Sequence, residues 1–127
     1  MMTERTILVV EDSDDIRATL RQFLLAGGYR VAEAADGPQA VDYVERRCPD
    51  LILMDLNMPV MDGLEATARI RQCREICRRV PILAVTAYDT FGIRDAALAA
   101  GCDGYVVKPL DFEKLDKIIT RFLVADA

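Results

Sequence analysis

Four apolar runs in this sequence each lead into a polar residue that can take part in chemistry. The runs are Thr6 to Val10, Leu51 to Met54, Ile82 to Val85 and Gly104 to Val107, and the polar residues are Asp12, Asp55, Thr86 and Lys108. Ligand sites in open α/β sheets lie beyond the carboxyl ends of the strands. If the runs are parallel strands of one sheet, the four side chains therefore meet at one edge of that sheet.

Apolar residues at helical spacing alternate with the strand-like runs. The first helix carries Ile16, Leu20, Phe23 and Leu24 before Gly27 and Gly28 end it. Tyr29 to Ala34 alternates as an edge strand does. The second helix is predicted to begin at Pro38. The third is predicted to follow a cap at Asp62 and to carry Leu64, Ala68 and Ile70 on its inner face. The fourth is expected within Asp89 to Ala100, and the last from Asp111 to Leu123.

Five strand-helix units joined by right-handed crossovers predict an α/β fold, a doubly wound parallel sheet of five strands with five helices in three layers. No linker or repeat interrupts the units, so residues 1–127 are expected to form a single domain. The stretch Gln72 to Pro81 fits either an extra helical turn or an exposed loop. Two strand orders are common for such sheets, and the apolar pattern does not choose between them.

The charge balance argues against a nucleic-acid partner, because 16 Lys and Arg stand against 21 Asp and Glu, giving a net charge of -5. No apolar run approaches the roughly 20 residues of a membrane span. The first residues lead straight into a strand without a signal peptide. We therefore expect a cytoplasmic protein with neither a membrane nor a nucleic acid as a direct partner.

The four cysteines, Cys48, Cys73, Cys77 and Cys102, contain no Cys-x-x-Cys pair and are expected to be reduced thiols that serve packing. The chain contains no histidine. It therefore cannot use an imidazole as a general base or carry a phosphohistidine itself.

Four motifs stand out along the chain: Val9-Val10-Glu11-Asp12, Leu53-Met54-Asp55-Leu56-Asn57-Met58-Pro59-Val60-Met61-Asp62-Gly63, Ala84-Val85-Thr86-Ala87 and Gly104-Tyr105-Val106-Val107-Lys108-Pro109. Together they resemble the receiver domain of response regulators, over Ile7 to Leu123. Each motif alone is weak, but their order and separations are specific. The resemblance implies strand order 2-1-3-4-5, a flavodoxin-like fold, and a cis peptide bond before Pro109.

Three acids would crowd the carboxyl edge of this sheet, namely Glu11, Asp12 and Asp55. Such clustering of negative charge is unfavourable unless a cation neutralises it, and the oxygen ligands suit Mg²⁺. By resemblance, Asp12 and Asp55 bind Mg²⁺ directly, Glu11 binds through water, and Asn57 binds through its main-chain carbonyl.

Asp55 ends a buried strand, where a carboxylate without a purpose is costly. As a nucleophile it could form an acyl phosphate, with Mg²⁺, Lys108 and the Thr86 hydroxyl neutralising and positioning the phosphoryl group. The small Ala87 would leave that group unobstructed and lend it a backbone N–H. The resemblance implies a switch that catalyses its own phosphorylation and slow dephosphorylation.

The donor must be a partner, and the resemblance implies a histidine kinase or a histidine phosphotransfer domain that docks near Ala18 and the Leu24 region of the first helix. Thr86 would move toward the phosphoryl group and Tyr105 would turn inward. The surface of helix 4, strand 5 and helix 5 would then control a downstream output protein. We expect a monomer or weak dimer, and the bulky Tyr88 is expected to prolong the phosphorylated state.

Three other interpretations of the same residues stay open at this point. A phosphohydrolase of the haloacid-dehalogenase type also uses a strand-end aspartate with Mg²⁺, but it would want an acid where Asn57 stands. An unphosphorylated interaction module on the same fold usually lacks an acid or the lysine, and all are present here. An FMN domain would need a phosphate loop in place of the acidic segment Glu11 to Asp15.

Overall fold

The computed structural model describes residues 4–58, 61–73, 79–87 and 91–125. Five parallel strands form one sheet in the order β2-β1-β3-β4-β5. The strands are β1 Thr6–Val10, β2 Arg30–Ala34, β3 Leu51–Asp55, β4 Ile82–Thr86 and β5 Gly104–Val107. The expected α/β class, strand number and strand order are confirmed.

In the part of the chain that the structure describes, five helices follow the strands, and they are α1 Asp14–Ala26, α2 Gly37–Arg46, α3 Gly63–Arg71, α4 Phe91–Ala100 and α5 Phe112–Ala125. The cap predicted at Asp62 is present, because its Oδ1 accepts a hydrogen bond from the backbone N–H of Glu65 at 2.8 Å. The bounds differ from the sequence expectations by one or two residues, which is the usual fraying of helix ends.

The helices cover both faces of the sheet. One buried cluster contains Leu20 and Leu24 of α1 with Leu115 and Ile119 of α5. The other contains residues of α2, α3 and α4, including Val44, Ile70 and Ala97. The central strands β3 and β4 are buried along their whole length. This three-layer packing leaves the carboxyl edge of the sheet as the place where polar side chains can gather.

Two predicted inner faces need correction. Ile16 is 37% exposed and belongs to neither buried cluster. The inner face of α3 is formed by Gly63, Ala66, Thr67 and Ile70, with Leu64 and Ala68 only half-buried. A Cβ on Gly63 would lie 2.3 Å from the carbonyl oxygen of Asp55, so glycine lets α3 approach the end of β3 closely and fixes its rotation.

The cysteine expectation is confirmed at Cys73 and Cys102, which are thiols. It is wrong at Cys48, which is disulfide-bonded and lies exposed after α2 rather than packed in the core. Cys77 lies outside the described residues, as does most of the ambiguous segment Gln72 to Pro81. Within the described chain, the helices are too short or too polar to cross a lipid bilayer.

Candidate functional site

The carboxyl ends of β3, β4 and β5 bring three polar side chains together. Asp55 and Thr86 are the last residues of their strands and are only 2% and 1% exposed. Asp55 pairs with Val85 across the β3–β4 ladder, so Thr86 lies one residue further along the neighbouring strand. The backbone N–H of Lys108 donates to the carbonyl of Thr86 at 2.7 Å, which fixes the turn that follows β5.

The three predicted acids form one cluster. Glu11, Asp12 and Asp55 each offer a carboxylate oxygen, and these oxygens all lie within 4.8 Å of one another. Glu11 and Asp55 are buried, whereas Asp12 is exposed. The β1–α1 loop thus supplies two of the acids and the end of β3 supplies the third.

Lys108 places a positive charge against this cluster. Its Nζ lies 3.4 Å from Oδ1 of Asp55 and 3.6 Å from Oε1 of Glu11. The side chain is 24% exposed, so these contacts are only partly screened by water. The backbone N–H of Asn57 also donates to Oδ1 of Asp55 at 3.0 Å. The Asp55 carboxylate is therefore held from two sides.

The three carboxyl groups of the cluster affect one another's charge. The pKa of Glu11 is raised from 4.5 to about 7, mainly by burial and in smaller part by the neighbouring Asp55 carboxyl. The backbone N–H of Ser13 and the charge of Lys108 oppose that rise. One lysine does not neutralise three carboxylates, so the cluster favours a proton or a second cation. Oxygen ligands from several carboxylates are those that hard divalent cations prefer.

Three further residues were predicted to take part in the function, namely Ala87, Tyr88 and Tyr105. Ala87 is exposed directly after Thr86. Tyr105 pairs with Ala84 on β4 and packs against the buried apolar cluster that contains residues of α2, α3 and α4. The guanidinium carbon of Arg94 on α4 lies 4.7 Å above the Tyr105 ring. Tyr88 lies outside the described residues, so its predicted effect is untested.

Sequence reasoning missed a residue that braces this site. Arg17 of α1 donates from Nη1 to the backbone carbonyl of Glu11 at 2.8 Å. Its Nε lies 3.4 Å from a carboxylate oxygen of Glu33 on β2. Helical spacing could have placed Arg17 on a polar face, but the contact with Glu33 depends on how α1 lies against the sheet.

A largely apolar groove of about 540 Å³ opens beside the cluster, between α1 and the turn that joins β5 to α5. Its lining comprises Asp15, Ile16, Thr19, Leu20, Lys108, Pro109, Leu110 and Phe112. The peptide bond between Lys108 and Pro109 is cis, as the sequence resemblance implied. The groove thus reaches from the first helix to the lysine of the site.

Two curated bacterial proteins are similar to this chain. Response regulator MprA of Mycobacterium sp. (strain KMS) is 42% identical over 109 residues, which is 86% of this chain and 46% of that protein. Transcriptional regulatory protein ZraR of Klebsiella oxytoca is 37% identical over 124 residues, which is 97% of this chain and 27% of that protein. The chain therefore spans less than half the length of these relatives.

Solved structures agree with the sequence relatives. The receiver domain of sensor histidine kinase PA1611 from Pseudomonas aeruginosa PAO1, which has a magnesium ion coordinated in its active site cleft, has a TM-score of 0.88 and 42% identity. That match covers 95% of this chain and 98% of the other. Chemotaxis protein CheY4 of Vibrio cholerae has a TM-score of 0.90 and 34% identity, covering 95% and 100%.

A sequence model of the response regulator receiver domain matches residues 7–120. The match includes the acid cluster, Thr86 and Lys108, and it favours this family over the phosphohydrolase and FMN alternatives. With the strand order and the similarity to solved receiver domains, it shows that the chain belongs to the response regulator receiver domain family.

Proposed function

We propose that Asp55 accepts a phosphoryl group and that the protein is a phosphorylation-activated switch of a two-component or phosphorelay system. The observation that carries this proposal is the position of Asp55, which is 2% exposed at the end of β3 with Lys108 Nζ 3.4 Å from its Oδ1. A buried carboxylate beside a lysine and two further acids is costly unless the site performs chemistry.

The donor set suits Mg²⁺, which favours carboxylate oxygens in an octahedral arrangement. Asp12 and Asp55 would hold the ion directly, Glu11 through a water molecule, and Asn57 through its main-chain carbonyl. When bound, Mg²⁺ would neutralise the cluster and the charge of the incoming phosphoryl group. The magnesium described for the similar receiver domain of Pseudomonas aeruginosa supports this choice of metal.

The transfer itself forms one bond and breaks another. A carboxylate oxygen of Asp55 forms a bond to phosphorus, the phosphorus–nitrogen bond of a phosphohistidine breaks, and the electron pair leaves with the imidazole. Lys108 is a compact charge that can neutralise a phosphoryl oxygen. The Thr86 hydroxyl and the backbone N–H of Ala87 are donors for the other oxygens. The chain thereby catalyses its own phosphorylation, and water slowly reverses it.

The groove beside α1 is the surface that we assign to the phosphohistidine donor, either a histidine kinase or a histidine phosphotransfer domain. It ends at Lys108, so a docked partner would present its imidazole to Asp55. Of the α1 residues expected to contribute to docking, Ala18 is exposed and Leu24 is buried, and neither lines the groove. The α1 residues that we propose for this surface are therefore Ile16 and Thr19.

Phosphorylation adds nearly two negative charges, which can shift a balance between two conformations. Thr86 would move toward the phosphoryl group, and Tyr105 would leave Arg94 and turn inward. The surface formed by α4, β5 and α5 would change and control a downstream output protein. We propose that the switch works in the cytoplasm as a monomer or weak dimer, with residues 1–127 acting as one receiver unit.

Incubation with acetyl phosphate and Mg²⁺ tests the function. Wild-type protein should gain one base-labile phosphoryl group, and chelation of Mg²⁺ should prevent the gain. Asp55→Asn should remain unlabelled, whereas Asp42→Asn, which alters an exposed carboxylate on α2, should be labelled like wild type. Full labelling of Asp55→Asn would show that the nucleophile is assigned wrongly.

A further inference from the structure

Arg17 ties together three segments at the edge of the acid cluster. Its Nη1 donates to the backbone carbonyl of Glu11 at 2.8 Å, and its Nη2 donates to Oδ1 of Asp14 at 2.6 Å. Its Nε lies 3.4 Å from Oε1 of Glu33 on β2. The Arg17 side chain is 17% exposed, so the guanidinium is largely enclosed by these partners.

The contact with the Glu11 carbonyl acts on the next residue. The peptide group between Glu11 and Asp12 is planar, so a carbonyl held in one direction also fixes the nitrogen of Asp12. The same loop is held elsewhere, because Glu11 N–H donates to the carbonyl of Ala34 at 3.0 Å and Ser13 N–H donates to Oε2 of Glu11 at 3.1 Å. Arg17 completes a set of hydrogen bonds around the two acids of the β1–α1 loop.

Arg17 acts on the cluster in two opposing ways. Its positive charge near the acids would weaken the binding of another cation, since like charges repel. Its hydrogen bonds would strengthen that binding by holding the acids in place before the cation arrives, as partners of metal ligands commonly do. Glu33 is 38% exposed and offsets part of the guanidinium charge, which favours the second effect.

We propose that Arg17 is a positioning residue for the cation site, with Glu33 as its anchor on β2. The inference rests on the proposed function, because it concerns the affinity of the same acids for Mg²⁺. Arginine is required because its planar fork reaches a carbonyl on one side and a carboxylate on another. A lysine keeps the charge but directs its donors from a single nitrogen.

Calorimetric titration with Mg²⁺ separates the repulsion of the cation by the Arg17 charge from the positioning of the acids by its hydrogen bonds. Arg17→Lys and Arg17→Gln should each bind Mg²⁺ about tenfold more weakly than wild type, a typical loss when a partner of metal ligands is removed. Glu33→Gln should weaken Mg²⁺ binding less than either Arg17 variant does, because it alters only the contact between Arg17 and β2. Arg21→Lys and Arg21→Gln are matched controls on an exposed position of α1 and should bind within twofold of wild type.

Amide hydrogen exchange without Mg²⁺ provides a readout that does not depend on the metal. The hydrogen-bonded amides of Glu11 and Ser13 should exchange faster in Arg17→Lys than in wild type, while amides of the central strands β3 and β4 stay unchanged. Faster exchange throughout the sheet would show a general loss of stability, and it would contradict a local positioning role.

The outcomes distinguish this inference from the function on which it rests. Tighter Mg²⁺ binding by Arg17→Gln, or unchanged binding by Arg17→Lys, would overturn the positioning role while leaving the Mg²⁺ site intact. Failure of the wild-type protein to bind Mg²⁺ or to gain a phosphoryl group would instead overturn the proposed function.

Discussion

The Nζ of Lys108 lies 3.4 Å from Oδ1 of Asp55 and approaches it from the turn that follows the edge strand β5. The ammonium neutralises part of the charge that a phosphoryl donor meets on entering the site. Removing such a preorganised group typically costs about a hundredfold in rate.

Lys108→Met should therefore slow phosphorylation of Asp55 by acetyl phosphate by about a hundredfold. Lys117→Met changes an exposed lysine on α5 and serves as the matched control, with a rate like that of wild type. Stopped-flow or radiolabel kinetics at saturating Mg²⁺ give both rates. Equal rates for Lys108→Met and wild type would remove the lysine from the mechanism.

The stability of the metal-free protein should depend on the protonation of Glu11. Burial raises its pKa from 4.5 to about 7, so the folded state binds this proton more tightly than the unfolded state. The stabilisation is complete below pH 4.5, declines as the pH rises, and is lost above about pH 7. This contribution is on the order of 1–3 kcal/mol.

Urea denaturation in the presence of a chelator, at pH 5 and at pH 7.5, measures this contribution. Glu11→Gln should show a smaller loss of unfolding free energy between the two pH values than wild type. Glu45→Gln, at an exposed position on α2, should follow wild type. The same pH dependence in all three proteins would mean that Glu11 does not titrate as its burial indicates.

Gly63 should tolerate no side chain, although it begins a helix. A Cβ there would lie 2.3 Å from the carbonyl oxygen of Asp55 and 2.8 Å from Cα of Leu56, both of which belong to the backbone. Gly63→Ala should destabilise the protein by about 1–3 kcal/mol and displace the end of β3. Gly92→Ala on α4 meets no atom within 4 Å and should be neutral or slightly stabilising. Thermal denaturation of both variants checks the contrast, and equal melting temperatures would contradict it.

A negative charge introduced into the groove beside α1 should change the rate of phosphoryl transfer from a phosphohistidine protein but not from acetyl phosphate. Ile16 is 37% exposed in that groove, so Ile16→Glu should slow transfer from a phosphohistidine protein about tenfold or more while leaving labelling by acetyl phosphate unchanged. Leu98→Glu, at a 59% exposed position on α4, should leave both reactions unchanged. Equal slowing of both donors by Ile16→Glu would place its effect in the site and not in docking.

The sequence predicted those features that depend on local pattern. The runs before Asp55 and Thr86 are continuously apolar because β3 and β4 are buried on both faces, so the strands and the polar residues at their ends could be located. The strand order came from resemblance to a known family, since five similar strand-helix units can be wound in more than one order.

Features that depend on packing between distant segments could not be predicted from the sequence pattern. The brace from Arg17 to Glu33 exists only because β2 lies beside β1 and α1 lies across both. Helical spacing placed Ile16 with the core, but it could not show that this residue lines the groove beside α1. The disulfide at Cys48 was likewise missed, because cysteine spacing does not determine which sulfurs meet.

The central claim is that the acyl phosphate forms on Asp55, and reduction of the phosphorylated wild-type protein with borohydride tests it most directly. Borohydride converts an aspartyl phosphate to homoserine, which peptide mass spectrometry locates to a single residue. We predict homoserine at position 55 only, and only when acetyl phosphate and Mg²⁺ were both present. Homoserine at another aspartate, with position 55 unmodified, would contradict the account.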